Sequence, residues 1–195
     1  MLVPALLRRL AIEAPDLNLS IVQWEPAWRE HLERGTIDLT IGAPTGEEPG
    51  IYSRLLLENQ WTCVLRKGHR ALRKRWTPES YASLGHMIVS LSGRGGGQVD
   101  RQLEALGLTR RIVLRIPYST LTPLLVAETE LVLTTAHWLA VKLNASGTLA
   151  IKRPPFELPP VKLPMVWHER THRDPQQRWF RTLLAEVAAE VDPLL

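Results

Sequence analysis

The chain has 195 residues, 45% hydrophobic and 23% charged, with a formal net charge of +4. A chain of this size buries roughly 70% of the surface its unfolded form exposes, so it folds without staples, and its lone cysteine, Cys63, can make no internal disulfide, which fits a reducing, cytoplasmic setting. No apolar run reaches the ~20 residues of a membrane span, and in the opening "MLVPALLRRL" the arginines follow the apolar part, the reverse of a secretory signal.

The basic residues are densest at Arg8-Arg9, Arg66 to Arg75, Arg110-Arg111 and Arg170 to Arg178. Scattered clusters of this kind usually form solvated faces, whereas a nucleic-acid footprint is more concentrated.

Leu2 to Glu13 reads as a helix, with Pro4 in the first turn, where its missing N–H costs little, and Pro15 as the stop. "LNLSIVQW", residues 17–24, alternates Leu17, Leu19 and Ile21 on one face, the period of a strand. Pro26 opens a second helix to Arg34, and Gly35 supplies a left-handed stop. "TIDLTIG" follows as a strand. Strand, short helix and strand with tight connections predict a crossover unit and a parallel pair.

"IYSRLLLE" and "WTCVLRK" are the next strands. Thr77 and Pro78 cap and open a short helix in "TPESYASL". "HMIVSLS" reads as a strand, Gln98 to Leu106 as a helix ended by Gly107, and "RIVLRIP" as a strand. "TLTPLLVAET" is helical, "ELVLTT" a strand and "AHWLAVKL" a helix; "GTLAIKR" and "VKLPMVWHE" are the last strands, around the rigid loop "PPFELPP". The final helix starts at Asp174-Pro175 and carries Trp179, Phe180, Leu183, Leu184, Val187 and Val191 on one stripe. Repeated β-α alternation predicts an α/β sheet.

The catalytic search is negative. The chain contains no G-x-S-x-G, no G-x-x-x-x-G-K-[ST] and no H-E-x-x-H. His168 and His172 span a strand end and a polar loop and share no helical face, so no metal site is expected. Cys63, inside an apolar strand, reads as a buried inert thiol. "SLSGRGGGQ", Ser90 to Gln98, is the suggestive stretch: it leaves a strand, shows two hydroxyls, bends through glycines and enters a helix, whose free N–H groups attract carboxylates and phosphates. Arg94 offers a further charge-assisted bond. The G-x-G-x-x-G spacing fails after Gly93 and Gly95, so this is no dinucleotide fingerprint. A small-anion or polar-ligand site and a plain surface turn are both open readings of it.

"LVPALLRRLAIEAPDLNLSIV", "LERGTIDLTIGA" and "RLLLENQWTCVLRKGH", in that order, resemble the effector-binding domain of LysR-type transcriptional regulators. "GLTRRIVLRIP", an apolar helix and "ELVLTTAHWLA" resemble its second lobe, and the likeness runs from Met1 to about Val191. "TPLLVAETELVLTT" is nearer the branch that responds to aromatic and phenolic inducers. The resemblance implies a type 2 periplasmic-binding-protein-like fold: two α/β lobes, a cleft and two crossing strands. The first lobe is expected at 1–67 plus 136–195, the second, inserted, at 68–135. It also implies a small organic effector, such as an aromatic acid or phenol, bound in the cleft by Trp24, Glu25, Pro26, Gly42, Ala43, Ser90, Ser92, Gly93, Tyr118, Thr120 and Thr134. No cofactor and no enzymatic activity are implied.

The family's helix-turn-helix and linker helix are absent from this chain, so DNA is expected as a partner only through a domain outside it. The family's strand before the first helix is also absent, which predicts a first-lobe sheet one member short with exposed backbone groups. A homodimer or higher homo-oligomer is expected, without membrane contact. A solute-binding protein of the same fold, and a ligand-free dimerisation module or truncated relic, are the alternatives.

Overall fold

The computed structural model describes residues 2–42, 49–90 and 97–191. The chain divides into two compact units, 1–58 with 162–195, and 59–161.

In the first unit, helices α1 (Leu2–Glu13), α2 (Trp28–Arg34) and α7 (Pro175–Glu190) pack on a three-stranded sheet. Its order is β1 (Thr40–Ile41), β8 (Val161–His168), β2 (Ile51–Asn59). The central strand alternates: Met165 and Trp167 pack with Leu6 and Leu10 of α1 and Leu183, Leu184 and Val187 of α7, while Val166 packs with Trp28 and Leu32 of α2. Period 2 in the strand thus feeds both faces of the sheet. Asp174 caps α7, its side chain accepting the Gln177 N–H at 2.8 Å. Gly35 ends α2 at φ 76°, and its bare Cα leaves room for Arg170, whose Nε donates to the Leu32 carbonyl at 2.8 Å. A side chain here would be strained and would collide with that guanidinium.

The expected parallel pair of 17–24 with 36–42 does not form. Residues 17–24 carry no strand, and β1 pairs only antiparallel with β8. A groove of about 1,360 Å³ is lined by both segments together with α1 and α7, so open space stands beside each where a ladder was expected. Ile21 and Val22 are accordingly exposed, at 67% and 65%.

The second unit holds β3 (Trp61–Arg66), α3 (Pro78–Ala82), β4 (Gly85–Val89), α4 (Gln98–Ala105), β5 (Arg111–Ile116), α5 (Thr122–Ala127), β6 (Leu131–Ala136), α6 (His137–Leu143) and β7 (Leu149–Lys152). The sheet order is β5-β4-β6-β3-β7. β4 is parallel to both β5 and β6; β3 is antiparallel to β6 and β7. β3 and β7, expected with the first lobe, therefore lie in this sheet through their ladders. Both faces are covered. Cys63, Leu65 and Val132 meet Tyr81, Val99 and Leu103, while Val64, Met87 and Leu133 meet Val126 and Ala140.

Leu103, fully buried, is expected to cost about 3 kcal/mol when cut to alanine. Leu124, 65% exposed, should cost no more than about 0.5 kcal/mol. Urea unfolding of the two variants measures the contrast.

Candidate functional site

Three parallel strands, in the order β5-β4-β6, end together on one edge of the second unit. Open α/β sheets present ligands with the carboxyl ends of such strands. Ser90, half-buried, follows β4, and its N–H donates to the Ile116 carbonyl at 2.9 Å, next to the end of β5. Tyr118, 56% exposed, and Thr120, exposed, lie just beyond β5 in and before a 3-10 turn at Ser119–Leu121. Thr134 lies near the end of β6. The structure therefore gathers Ser90, Tyr118, Thr120 and Thr134 on one edge. Ser92, Gly93 and Arg94 fall outside the described residues.

Beneath this edge runs a buried polar chain. Gly97, the residue before α4, donates its N–H to Asp100 Oδ2 at 2.9 Å. Asp100 accepts a two-pronged pair from Arg110, Nε to Oδ1 at 2.7 Å and Nη2 to Oδ2 at 2.9 Å. Arg110 Nη1 donates to the Tyr81 hydroxyl at 3.1 Å. That hydroxyl lies 2.7 Å from Thr134 Oγ1, which lies 3.5 Å from Cys63 Sγ. Two parallel N–H bonds from a planar guanidinium fix orientation as well as distance.

Burial and charge oppose one another along this chain. Burial pushes the Asp100 carboxyl up, but the bonds and charge of Arg110 outweigh it and hold the group below its usual value. Burial lowers Arg110, and Asp100 more than restores it. Burial raises the Tyr81 phenol and pushes the Cys63 thiol up to about 12. Such a thiol is no nucleophile at neutral pH. His86, also buried, donates Nε2–H to the Tyr81 carbonyl at 2.9 Å and leaves Nδ1 unpartnered. Burial pushes it down to about 4, against the smaller opposing pull of the Tyr81 carbonyl.

In the first unit, Trp24 and Glu25 line the 1,360 Å³ groove with Trp28, His31 and Thr36. Trp24 is half-buried, packs against the Trp28 cluster and leaves its buried Nε1–H unpartnered. Glu25 lies 3.4 Å from His31 Nε2. Pro26 is exposed and does not line the groove. Gly42 has φ 81°, and an added Cβ would stand 3.0 Å from the Leu163 side chain, so its own turn and Leu163 account for the glycine. Its N–H donates to the Pro164 carbonyl at 2.8 Å. Ala43 lies outside the described residues.

Tyr81, Asp100 and Arg110 carried no expectation from sequence. Their spacing is non-local, and the doublet Arg110-Arg111 read as a solvated cluster. The available signal was Asp100 in the first turn of a helix entered from glycines, where a carboxylate closes the turn.

Residues 1–189 match the family described as the LysR substrate binding domain. The chain belongs to the LysR substrate-binding-domain family. The HTH-type transcriptional regulator SyrM of Rhizobium meliloti (strain 1021) is 36% identical over 189 residues, covering 96% of this chain and 58% of that protein. The HTH-type transcriptional activator NahR of Pseudomonas putida is 31% identical over 185 residues, 94% of this chain and 62% of that one. This LysR domain thus spans about three-fifths of the length of these relatives. The regulatory domain of MexT, a transcriptional activator in Pseudomonas aeruginosa, superposes at TM-score 0.84 with 28% identity, covering 95% and 90% of the two chains. The fold is the type 2 periplasmic-binding-protein-like α/β fold of LysR effector-binding domains. Among the described residues no helix is long and apolar enough to cross a membrane.

Replacing Arg110 with methionine leaves the Asp100 carboxylate without its partner and is expected to destabilise by about 3 kcal/mol. The double variant Arg110→Met with Asp100→Leu should recover much of that loss, which a double-mutant cycle in urea measures. His86 gives a pH signature. The unfolded imidazole takes a proton near 6.5 and the folded one only near 4, so stability is complete above 6.5 and falls as pH drops from 6.5 to 4. His86→Phe should flatten the unfolding free energy across the upper part of that window.

Proposed function

We propose that this domain senses a small organic acid or phenol, aromatic in body, and controls transcription through a DNA-binding part outside this chain. The gathering of Ser90, Tyr118, Thr120 and Thr134 at the carboxyl ends of three parallel strands is the observation that carries the reading. Hydroxyl donors at the ends of parallel strands suit a carboxylate or phenolate. An aromatic ring such as that of Tyr118, with Trp24 in the first unit, suits a flat apolar body. The proposed contacts are Trp24, Glu25, Pro26, Gly42 and Ala43 from the first unit, and Ser90, Ser92, Gly93, Tyr118, Thr120 and Thr134 from the second.

Support also comes from the relatives, which are named as transcriptional regulators and not as enzymes. One solved structure of the same fold, the effector binding domain of QuiR, is described in complex with shikimate, a hydroxylated cyclic acid. Its identity to this chain is 14%, so that likeness is one of fold. In this reading the domain binds without chemistry; Cys63, buried with its pKa pushed up, supplies no thiolate nucleophile at neutral pH. Cytoplasmic residence and assembly as a homodimer or higher homo-oligomer belong to the same proposal.

Isothermal titration against a panel of aromatic acids and phenols is expected to give a saturable heat with at least one compound. Ser90→Ala with Ser92→Ala should weaken that binding about tenfold or more, at ~1 kcal/mol per lost hydrogen bond. No heat from any compound at millimolar concentration, or an affinity unmoved by the double variant, contradicts the reading.

A further inference from the structure

The segment from Arg66 to Trp76, "RKGHRALRKRW", holds six lysines and arginines and no acid. The fold presents most of it to solvent. His69, fully buried, caps a 3-10 turn at Arg70–Arg73 through its Nδ1, which accepts the Ala71 N–H at 3.0 Å, while its Nε2 donates to the Glu130 carbonyl at 3.1 Å. Ala71 is buried beside it. This anchor turns Lys67, Arg70, Arg73, Lys74 and Arg75 outward, all exposed, and Arg70 and Arg73, three apart in a 3-10 turn, share one edge about 6 Å apart. Trp76 closes the segment, its indole N–H donating to the Arg153 carbonyl at 2.8 Å and its ring lying 4.8 Å from the Lys152 ammonium. Arg153 is exposed next to it.

The charge is largely uncompensated. Glu130 takes Arg66, with Arg70 at the long distance of 3.9 Å. Among the described residues no carboxylate comes within 4 Å of Lys67, Arg73, Lys74 or Arg75, although Glu79 lies near enough to sense Arg75. Arg70, Lys74 and Arg75 also line a cavity of about 220 Å³ with Ser80 and Ser83. Both hydroxyls are engaged in α3, Ser80 Oγ donating to the Thr77 carbonyl and Ser83 Oγ to that of Ser80, so the three cations are its remaining side-chain donors.

We propose that this basic face of the second unit is a docking surface for the phosphate backbone of duplex DNA, with one phosphate seated among Arg70, Lys74 and Arg75. Phosphate is favoured because guanidinium forks match its oxygens and because cations without internal partners release counterions on meeting a polyanion. A lipid surface is disfavoured, since the segment exposes no large apolar side chain to insert. Such contacts position without reading sequence. They add a second anchor to the DNA binding proposed for a part outside this chain.

The test is fluorescence anisotropy of this chain with a labelled duplex of about 20 base pairs at rising salt. Three phosphates, one seated among Arg70, Lys74 and Arg75 and one each at Lys67 and Arg73, predict a slope of log K on log salt of about −2.7, at −0.9 per phosphate. The triple variant Arg73→Gln, Lys74→Gln, Arg75→Gln keeps Lys67 and Arg70, and should reduce the slope to about −1.8 and weaken binding at low salt at least tenfold. The control Arg8→Gln, Arg54→Gln, Lys142→Gln removes the same net charge from other exposed positions and should change binding less than twofold. Matching thermal unfolding of both variants excludes misfolding. No binding at the lowest salt, equal loss in both variants, or tighter binding to polyglutamate than to the duplex overturns the proposal.

Discussion

The fork between Arg110 and Asp100 is the interaction on which the second unit depends. Arg110 has a side chain only 3% exposed and Asp100 one 19% exposed, so neither charge is left to water. Each is tolerable there only because the other is present. The pair is also a geometric link: it joins the start of α4, through Gly97, to the Tyr81 hydroxyl and on to Thr134 in β6. The start of α4 is thereby tied to a strand whose neighbours are buried on both faces. A site assembled from loop ends gains precision when rigid elements hold those ends.

The sheet supplies the rest of the positioning. β6 is the strand on which the sheet changes sense, parallel to β4 on one side and antiparallel to β3 on the other. The parallel half sends the ends of β4, β5 and β6 to one edge. The antiparallel half brings Cys63 opposite Thr134, where its thiol faces the hydroxyl. Thr134 is consequently held from two sides, by Tyr81 and by Cys63. A ligand drawing on that hydroxyl competes with bonds already made, which favours a strong acceptor such as a carboxylate over a neutral group.

Much of the fold was legible where the signal is local. Helix stops at Gly35 and Gly107, caps at Thr77 and Asp174, and the stripe from Phe180 to Val187 each depend on a few neighbouring residues, and the structure shows them. The segment 17–24 shows the limit. Its alternation is real, but a strand exists only with a partner, and residues 17–24 have no ladder among the described residues. Of the candidate site, the hydroxyl residues at strand ends, Ser90, Tyr118, Thr120 and Thr134, were the part that composition could suggest. The chain from Asp100 through Arg110 and Tyr81 was not: Tyr81 and Thr134 are 53 positions apart, and nothing in either neighbourhood reports the other. Gly42 was expected as an effector contact, while the structure gives it a positive φ and Leu163 as a neighbour.

A domain that registers a ligand without altering it is the central claim, and saturation-transfer NMR on this chain with mixed aromatic acids and phenols tests it most directly. Transfer should reach at least one compound, and that compound's own resonances should be unchanged after overnight incubation. Product resonances growing in with protein, or transfer to none of the compounds, would contradict it.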